Sequence, residues 1–112
     1  MEINFKTRKL EKTFNSQEKL VRNFGSENAR IIMRRMTVLA AAPCLADVSH
    51  QRPERRHALE GNRKGQYAVD LKHPYRLIFK PDHDPVPLSE DGAVDLYMVR
   101  VITILEVEDY HG

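Results

Sequence analysis

A short polar segment after an apolar run carries side chains that are able to transfer protons. Residues 99–107 form the run, and Asp109, Tyr110 and His111 follow it. If the run is a strand, Asp109 and His111 share a face with their Cα atoms about 7 Å apart, so the carboxylate can orient the imidazole where the backbone bends. The alternative is a polar tail where the sheet runs out, and the spacing leaves both interpretations open.

A second candidate for proton transfer is His57, in the basic segment 50–57. His57 and Leu59 are two residues apart and so lie on the same face of the predicted strand, which favours a half-buried histidine with no catalytic role. It is also surrounded in sequence by cations, which disfavour the charged imidazole and keep it available as a base. The cations that flank it are Arg55, Arg56, Arg63 and Lys64.

Histidines among cations are suited to RNA cleavage that needs no metal. One group removes the proton of a 2′-hydroxyl, another protonates the leaving 5′-oxygen, and cations stabilise the phosphoryl charge. Arg76 is the candidate for holding that phosphate. Leu77 and Phe79 share one face of the predicted strand, and Arg76 lies on the opposite face. The alternative is an Arg76–Asp70 ion pair across a hairpin.

Other catalytic and cofactor motifs are absent from the sequence. There is no dinucleotide-binding fingerprint, P-loop, nucleophile elbow or paired-cysteine zinc motif. The remaining histidines, His50, His73 and His83, lie in predicted loops without metal-ligand spacing, and His73-Pro74 is interpreted as a turn. We therefore predict no cofactor and no bound metal.

The elements that must position these residues are a strand, helices and then strands. The predicted order is a strand at 2–5, a helix capped by Thr7 with a further turn or two over 17–24 that ends at Gly25, and a helix from Ser26 that Pro43 closes. This last helix has a predicted buried stripe and an arginine face exposed to solvent or to a protein partner. The stripe consists of Ala29, Ile32, Met33, Met36, Leu39 and Ala40, and the face consists of Arg30, Arg34 and Arg35.

Four further strands are predicted at 56–61, 66–72, 75–80 and 96–111, with an acidic loop at 81–95 before the last one. Short turns between strands favour antiparallel pairing. We predict an α+β fold in which two N-terminal helices cover one face of a curved, mainly antiparallel sheet of four to five strands. Residues 1–112 are predicted to form a single domain.

Charge is distributed unevenly along the chain. Residues 1–80 carry 17 Lys and Arg against 8 Asp and Glu, whereas residues 81–112 carry 1 against 8. This asymmetry indicates either a basic surface for a polyanion or two solvated faces of opposite sign. The single cysteine, Cys44, and the lack of a long apolar segment predict a cytoplasmic protein with no membrane contact.

Three motifs together resemble the HigB-type toxins of the RelE/ParE superfamily. They are "H-x-L-x-G-x-x-x-G" from His57, "YRL-I-F" from Tyr75, and the terminal "DYH" from Asp109. The resemblance implies a RelE-like fold and a toxin of a type II toxin–antitoxin system. It also implies a ribosome-dependent endoribonuclease that cuts mRNA in the ribosomal A site, and a cognate helix-turn-helix antitoxin of the HigA type as partner.

The resemblance also implies roles for individual residues. His57 and His111 transfer protons, Asp109 orients or shares that role, and Tyr110 stacks on a base. Phosphate is held by basic residues near them, namely Arg76, Arg63, Lys64 and Arg56. Two other functions stay open: a non-enzymatic toxin that binds DNA gyrase, as in the ParE branch, and an inactive protein that binds nucleic acid or antitoxin.

Overall fold

The computed structural model describes residues 1–110 and places five strands of this range in one sheet. The strands are β1 (Glu2–Phe5), β2 (His57–Ala58), β3 (Tyr67–Asp70), β4 (Tyr75–Pro81) and β5 (Val101–Asp109). Their order across the sheet is β1-β5-β4-β3-β2. Only the β1–β5 pair is parallel among these pairings. The predicted α+β fold with a mainly antiparallel sheet is confirmed.

Two helices, α1 (Arg8–Phe14) and α2 (Gln17–Ala41), precede the hairpin strands. Thr7 and Ser16 cap them, each accepting a backbone N–H through its hydroxyl oxygen, at 3.1 and 3.2 Å. Gly25 interrupts α2 with φ 83° and ψ 161°, at the position where the sequence predicts a helix end. Only glycine adopts this backbone region without strain.

The helices cover one face of the sheet and form the main core with it. Leu20, Ile32 and Leu39 of α2 are buried against residues such as Phe79 and Ile104. The predicted stripe is partly wrong, since Met33 is 44 % exposed and Ala40 is exposed as well.

The buried face of α2 differs from the predicted stripe because two polar side chains anchor the helix at the end of β3. Asn28 accepts the backbone N–H of Lys72 at 3.0 Å, and Arg35 Nε donates to the carbonyl oxygen of Asp70 at 2.7 Å. Both anchors are buried, so the prediction that Arg35 belongs to an exposed arginine face is wrong.

Three strands are shorter than predicted, and for β3 the difference is small, since it covers Tyr67–Asp70 within the predicted 66–72. Residues 96–100 do not join β5, because this segment pairs with the chain after α2 instead: Leu45 and Ala46 donate to the carbonyls of Val99 and Leu96 at 2.9 and 3.1 Å. The strand predicted at 56–61 ends at Ala58, because Gly61–Arg63 forms a short 3₁₀ turn.

A bulge between β4 and β5 changes which side chains share a face. Ile78 lies opposite Glu106 and Phe79 opposite Ile104, so Leu105 is the extra residue. Leu105 packs on the face away from the helices, with Leu59, Ala68 and Ile78, whereas Val107 packs into the helix-side core. Simple alternation along the strand predicts that Leu105 and Val107 lie on the same face, and this prediction is wrong because of the bulge.

Candidate active site

A groove with a volume of about 690 Å³ lies on the sheet face that the helices leave uncovered; we call it the active-site groove. Its walls come from β2, the 3₁₀ turn, the ends of β3 and β4, and the residue after β5. Its lining side chains that carry charge or can transfer protons are Arg55, His57, Glu60, Arg63, Asp70, His73, Tyr75, Arg76 and Tyr110.

His57 is held in one orientation by a backbone carbonyl. Its Nδ1 lies 2.7 Å from the carbonyl oxygen of Arg55. Because a carbonyl oxygen can only accept, Nδ1 carries the hydrogen, and the neutral ring has its lone pair on Nε2. This tautomer can take a proton at Nε2.

The carbonyl that orients His57 belongs to a residue that is itself anchored. Nε and Nη2 of Arg55 donate to the two carboxylate oxygens of Asp70 at 2.6 and 2.8 Å. The Asp70 backbone N–H donates to Glu54 at 2.9 Å. Arg55 has φ 46°, a left-handed conformation that costs energy for a residue with a Cβ and persists only where contacts fix it. Asp70 thus fixes the segment that orients His57.

Arg76 and Arg63 form an ion-pair network with two glutamates of β5. Nε and Nη2 of Arg76 each lie 2.6 Å from Glu108 Oε2. Nη2 of Arg63 lies 3.1 Å from a carboxylate oxygen of both Glu106 and Glu108. The alternative of an Arg76–Asp70 pair is wrong: the two are opposite each other in the β3–β4 register, but Arg55 takes the Asp70 carboxylate.

The network keeps Glu108 ionised. Burial disfavours its carboxylate, but the hydrogen bonds and charges of Arg76 and Arg63 outweigh burial, and the pKa of Glu108 is lowered from its usual 4.5. The same contacts with Glu106 and Glu108 outweigh burial at Arg63 and raise the pKa of its guanidinium. The charges of the two arginines are thereby balanced by two carboxylates before any ligand binds.

Of the predicted carboxy-terminal trio, Tyr110 lies at the groove. The Cζ of Arg76 lies 4.0 Å from its ring centroid, a cation–π contact, and the ring is 54 % exposed. Asp109 is exposed, lies opposite Tyr75 in the β4–β5 register and does not line the groove. His111 lies outside the described residues, and the roles predicted for Asp109 and His111 stay predictions.

Two of the four predicted phosphate-binding cations do not line the groove. Nε of Arg56 donates to the carbonyl oxygen of Val48 at 2.9 Å and ties the loop after α2 to the start of β2. Lys64 is exposed at the end of the 3₁₀ turn. Arg63 and Arg76 do line the groove with His57.

Sequence reasoning missed His73 and the two glutamates. His73 lines the groove, although its position before a proline predicts only a turn. The shared parity of Glu106, Glu108 and Tyr110 was visible in the sequence and places them on one face. Their pairing with arginines depends on the β4–β5 register, which a long loop and a bulge set.

Within residues 1–110, no group of three or more His, Cys, Asp or Glu side chains is placed to bind a metal ion. Nor does any helix in this range have the length and apolar character to cross a membrane.

Comparison with known protein families identifies the family of this chain. The sequence profile of the family described as "RelE-like toxin of type II toxin-antitoxin system HigB" matches residues 3–98. The chain belongs to this family. A search of curated proteins gives no match.

This HigB-like protein is therefore a toxin of a type II toxin–antitoxin system, and its family implies an antitoxin as partner. The matched range includes both helices, β1 to β4 and most of the active-site groove. It ends before β5, so Glu108, Asp109 and Tyr110 lie beyond it, and their assignment depends on the geometry of this chain.

Proposed function

We propose that this HigB-like toxin is an endoribonuclease that cuts messenger RNA on the ribosome. The observation that carries the proposal is one groove on the uncovered sheet face that brings His57, with a lone pair on Nε2, together with Arg76 and Tyr110. A base, a phosphate-binding cation and an aromatic ring are the groups that cleavage of a single-stranded RNA requires.

The proposed reaction is attack by the 2′-hydroxyl on the adjacent phosphorus. His57 Nε2 takes the hydroxyl proton, the 2′-oxygen bonds to phosphorus, and the bond from phosphorus to the 5′-oxygen breaks. The leaving oxygen takes a proton from His111, which Asp109 orients. The products are a 2′,3′-cyclic phosphate and a 5′-hydroxyl, and the steps consist of proton transfers and one displacement.

Arg76 is the residue we assign to the phosphate. It directs Nε and Nη2 at Glu108, which leaves the remaining N–H groups of its guanidinium for phosphoryl oxygens. Arg63 has fewer free N–H groups, because its guanidinium also contacts Gln66 and Glu106. The ring of Tyr110, backed by Arg76, supplies a stacking surface for a base.

Ribosome dependence follows from the charge balance of the groove. Because Glu106 and Glu108 neutralise Arg63 and Arg76, the groove has little net attraction for free RNA. A second cluster of cations lies elsewhere, on α1 and the start of α2, around another groove. That groove is lined by Arg8, Lys9, Lys12 and Lys19, and by Arg22, which pairs with Glu18. We assign these residues to ribosomal RNA, so the ribosome supplies the affinity and presents the message.

The test is cleavage mapping by primer extension on ribosomes programmed with a defined message. The wild-type toxin is expected to cut in the A-site codon and to leave free RNA intact at equal concentration. The His57→Ala variant should be slower by about 100-fold or more, since a general base contributes about 10²–10⁴. His50→Ala is the matched control, because His50 is exposed in a loop outside the groove.

Three results would contradict the proposal. Equal cleavage of free and ribosome-bound RNA would remove the ribosome dependence. Undiminished cleavage by His57→Ala would remove the catalytic assignment, and growth arrest with intact messages and broken DNA would favour a gyrase-directed toxin instead.

A further inference from the structure

The outer side of α2 carries a groove that the proposed cleavage does not use; we call it the α2 groove. Its volume is about 480 Å³. Two large apolar side chains in it are unusually accessible, Val21 at 39 % and Met33 at 44 % of their surface. Since α2 packs on the opposite sheet face from His57, the α2 groove is separate from the active-site groove.

The lining residues of the α2 groove come from both segments of α2, on either side of the interruption at Gly25. Most are apolar or uncharged, and two are arginines one helical turn apart: Gln17, Val21, Ser26, Ala29, Met33 and Thr37, with Arg30 and Arg34. Gly25 itself has no side chain, and no atom lies within 4 Å of the place where its Cβ would be, so a gap is open beside it.

The side chains of Arg30 and Arg34 have no ion-pair or hydrogen-bond partner within residues 1–110. Other exposed cations near α2 do have one: Arg22 pairs with Glu18 and Lys72 pairs with Glu27, each at 2.7 Å. Arg30 and Arg34 are one helical turn apart and repel each other, so carboxylates from outside the chain would stabilise them.

We propose that the α2 groove binds an acidic amphipathic helix of the antitoxin. A groove with accessible apolar side chains accepts the apolar face of another helix, as in helix-in-groove recognition. An apolar face of that helix would fill the gap at Gly25 between Val21 and Met33, and its acidic residues would pair with Arg30 and Arg34.

A second copy of this chain fits the α2 groove less well than an acidic helix. Symmetric pairing of two α2 grooves would bring Arg30 and Arg34 of both copies together, and like charges at an interface are unfavourable. The proposal depends on the family membership of the chain, which supplies an antitoxin, and does not depend on RNA cleavage. An antitoxin bound at α2 leaves the active-site groove uncovered.

The test measures binding of the purified product of the antitoxin gene paired with this toxin gene. Titration calorimetry compares wild-type toxin with Arg30→Glu/Arg34→Glu and, separately, with Met33→Lys. Both variants should raise the dissociation constant at least about tenfold, since charge reversal and loss of an apolar anchor each remove central contacts. Because these side chains are exposed, both variants should keep the wild-type unfolding midpoint, which is measured alongside.

The matched control is Lys9→Glu/Lys12→Glu, an equal charge reversal on α1, outside the α2 groove. It should change the antitoxin affinity by less than about twofold. Wild-type affinity in both α2 variants would overturn the proposal, as would an equal loss in the α1 control. A toxin dimer that Met33→Lys dissociates would also overturn it, because the groove would then be an interface between copies. None of these readouts changes if the protein cuts no RNA.

Discussion

At the scale of single residues, the orientation of His57 depends on Asp70, a side chain that acts through Arg55. Asp70 binds the guanidinium of Arg55, and the carbonyl of Arg55 fixes the imidazole tautomer. Asp70→Ala should slow cleavage on programmed ribosomes about tenfold, because a misplaced base is less effective. The free energy of unfolding should fall by about 1 kcal/mol or less, since the pair is partly exposed.

Nitrogen-15 NMR of the imidazole distinguishes this positioning role from a general loss of stability. In Asp70→Ala the His57 ring should become a mixture of tautomers. Asp82→Ala is the control: Asp82 accepts hydrogen bonds from Asn4 and Thr103, away from the active-site groove. An unchanged tautomer in Asp70→Ala, or the same change in both variants, would contradict the role.

Glu108 makes a pH-dependent contribution to stability. Its folded-state pKa is lowered from 4.5, so its ion pairs are fully present above that pH and are lost as the pH falls through the lowered value. At pH 7, Glu108→Gln should reduce the free energy of unfolding by about 1–2 kcal/mol. The difference from wild type should shrink towards zero as the solution is made more acidic than pH 4.5.

Urea unfolding midpoints across this pH range measure the effect of Glu108. Glu90→Gln is the matched control, because Glu90 is exposed in the loop between β4 and β5. A difference between wild type and Glu108→Gln that is constant with pH would mean that the arginines do not hold the carboxylate.

At the scale of elements, the anchor between α2 and β3 is a buried arginine. Burial lowers the pKa of Arg35 even though Glu54 and Asp70 oppose that effect. Arg35→Ala should destabilise the fold by about 2–3 kcal/mol, because it leaves the Asp70 carbonyl without its donor and opens a gap under the helix. The neighbouring Arg34→Ala, at an exposed position, should change stability by less than about 0.5 kcal/mol.

Thermal and urea unfolding measure the two arginine variants side by side. Equal stability of Arg35→Ala and Arg34→Ala would show that the 2.7 Å contact with Asp70 does not anchor the helix. A loss in Arg35→Ala that is rescued by a large apolar residue such as methionine would assign the effect to packing.

Local patterns in the sequence predict most elements but not their pairing. Thr7, Gly25 and the alternation of Leu77, Ile78 and Phe79 act through neighbours in the chain, so the helix boundaries and the two faces of β4 were predictable. The bulge at Leu105 was not, because it follows from the fit of β5 between two strands that are distant in sequence.

The same reason limits what the sequence says of the candidate site. His57 and Arg76 were predicted from residue type and sequence position, and Arg63 and Tyr110 from the resemblance to toxins. The partners of the arginines required the strand register, and the burial of Arg35 required the rotation of α2.

At the scale of the whole molecule, the excess positive charge belongs to the helix layer as much as to the active-site groove. We expect Lys9→Glu/Lys12→Glu to weaken association with ribosomes at least about tenfold at low salt. The affinity should also depend less steeply on salt concentration, because binding with fewer phosphate contacts releases fewer counterions. Cosedimentation over a series of salt concentrations measures both quantities.

Arg30→Glu/Arg34→Glu, which we expect to bind the antitoxin more weakly, carries the same change in net charge and is compared with Lys9→Glu/Lys12→Glu in the ribosome assay. If both double variants lose ribosome affinity to the same degree, the attraction comes from net charge and not from the surface around α1. If neither does, the cations of α1 have no part in ribosome binding.

The position of β5 has a consequence for the order in which the protein is made. β1 pairs only with β5 within residues 1–110, and β4 needs β5 on one side. A growing polypeptide that has emerged only as far as β4 therefore has a divided sheet, and it lacks Glu108 and Tyr110. All four earlier strands must therefore be synthesised before the surface that we propose for RNA binding is complete, and we expect a chain that stops before β5 to cut no RNA.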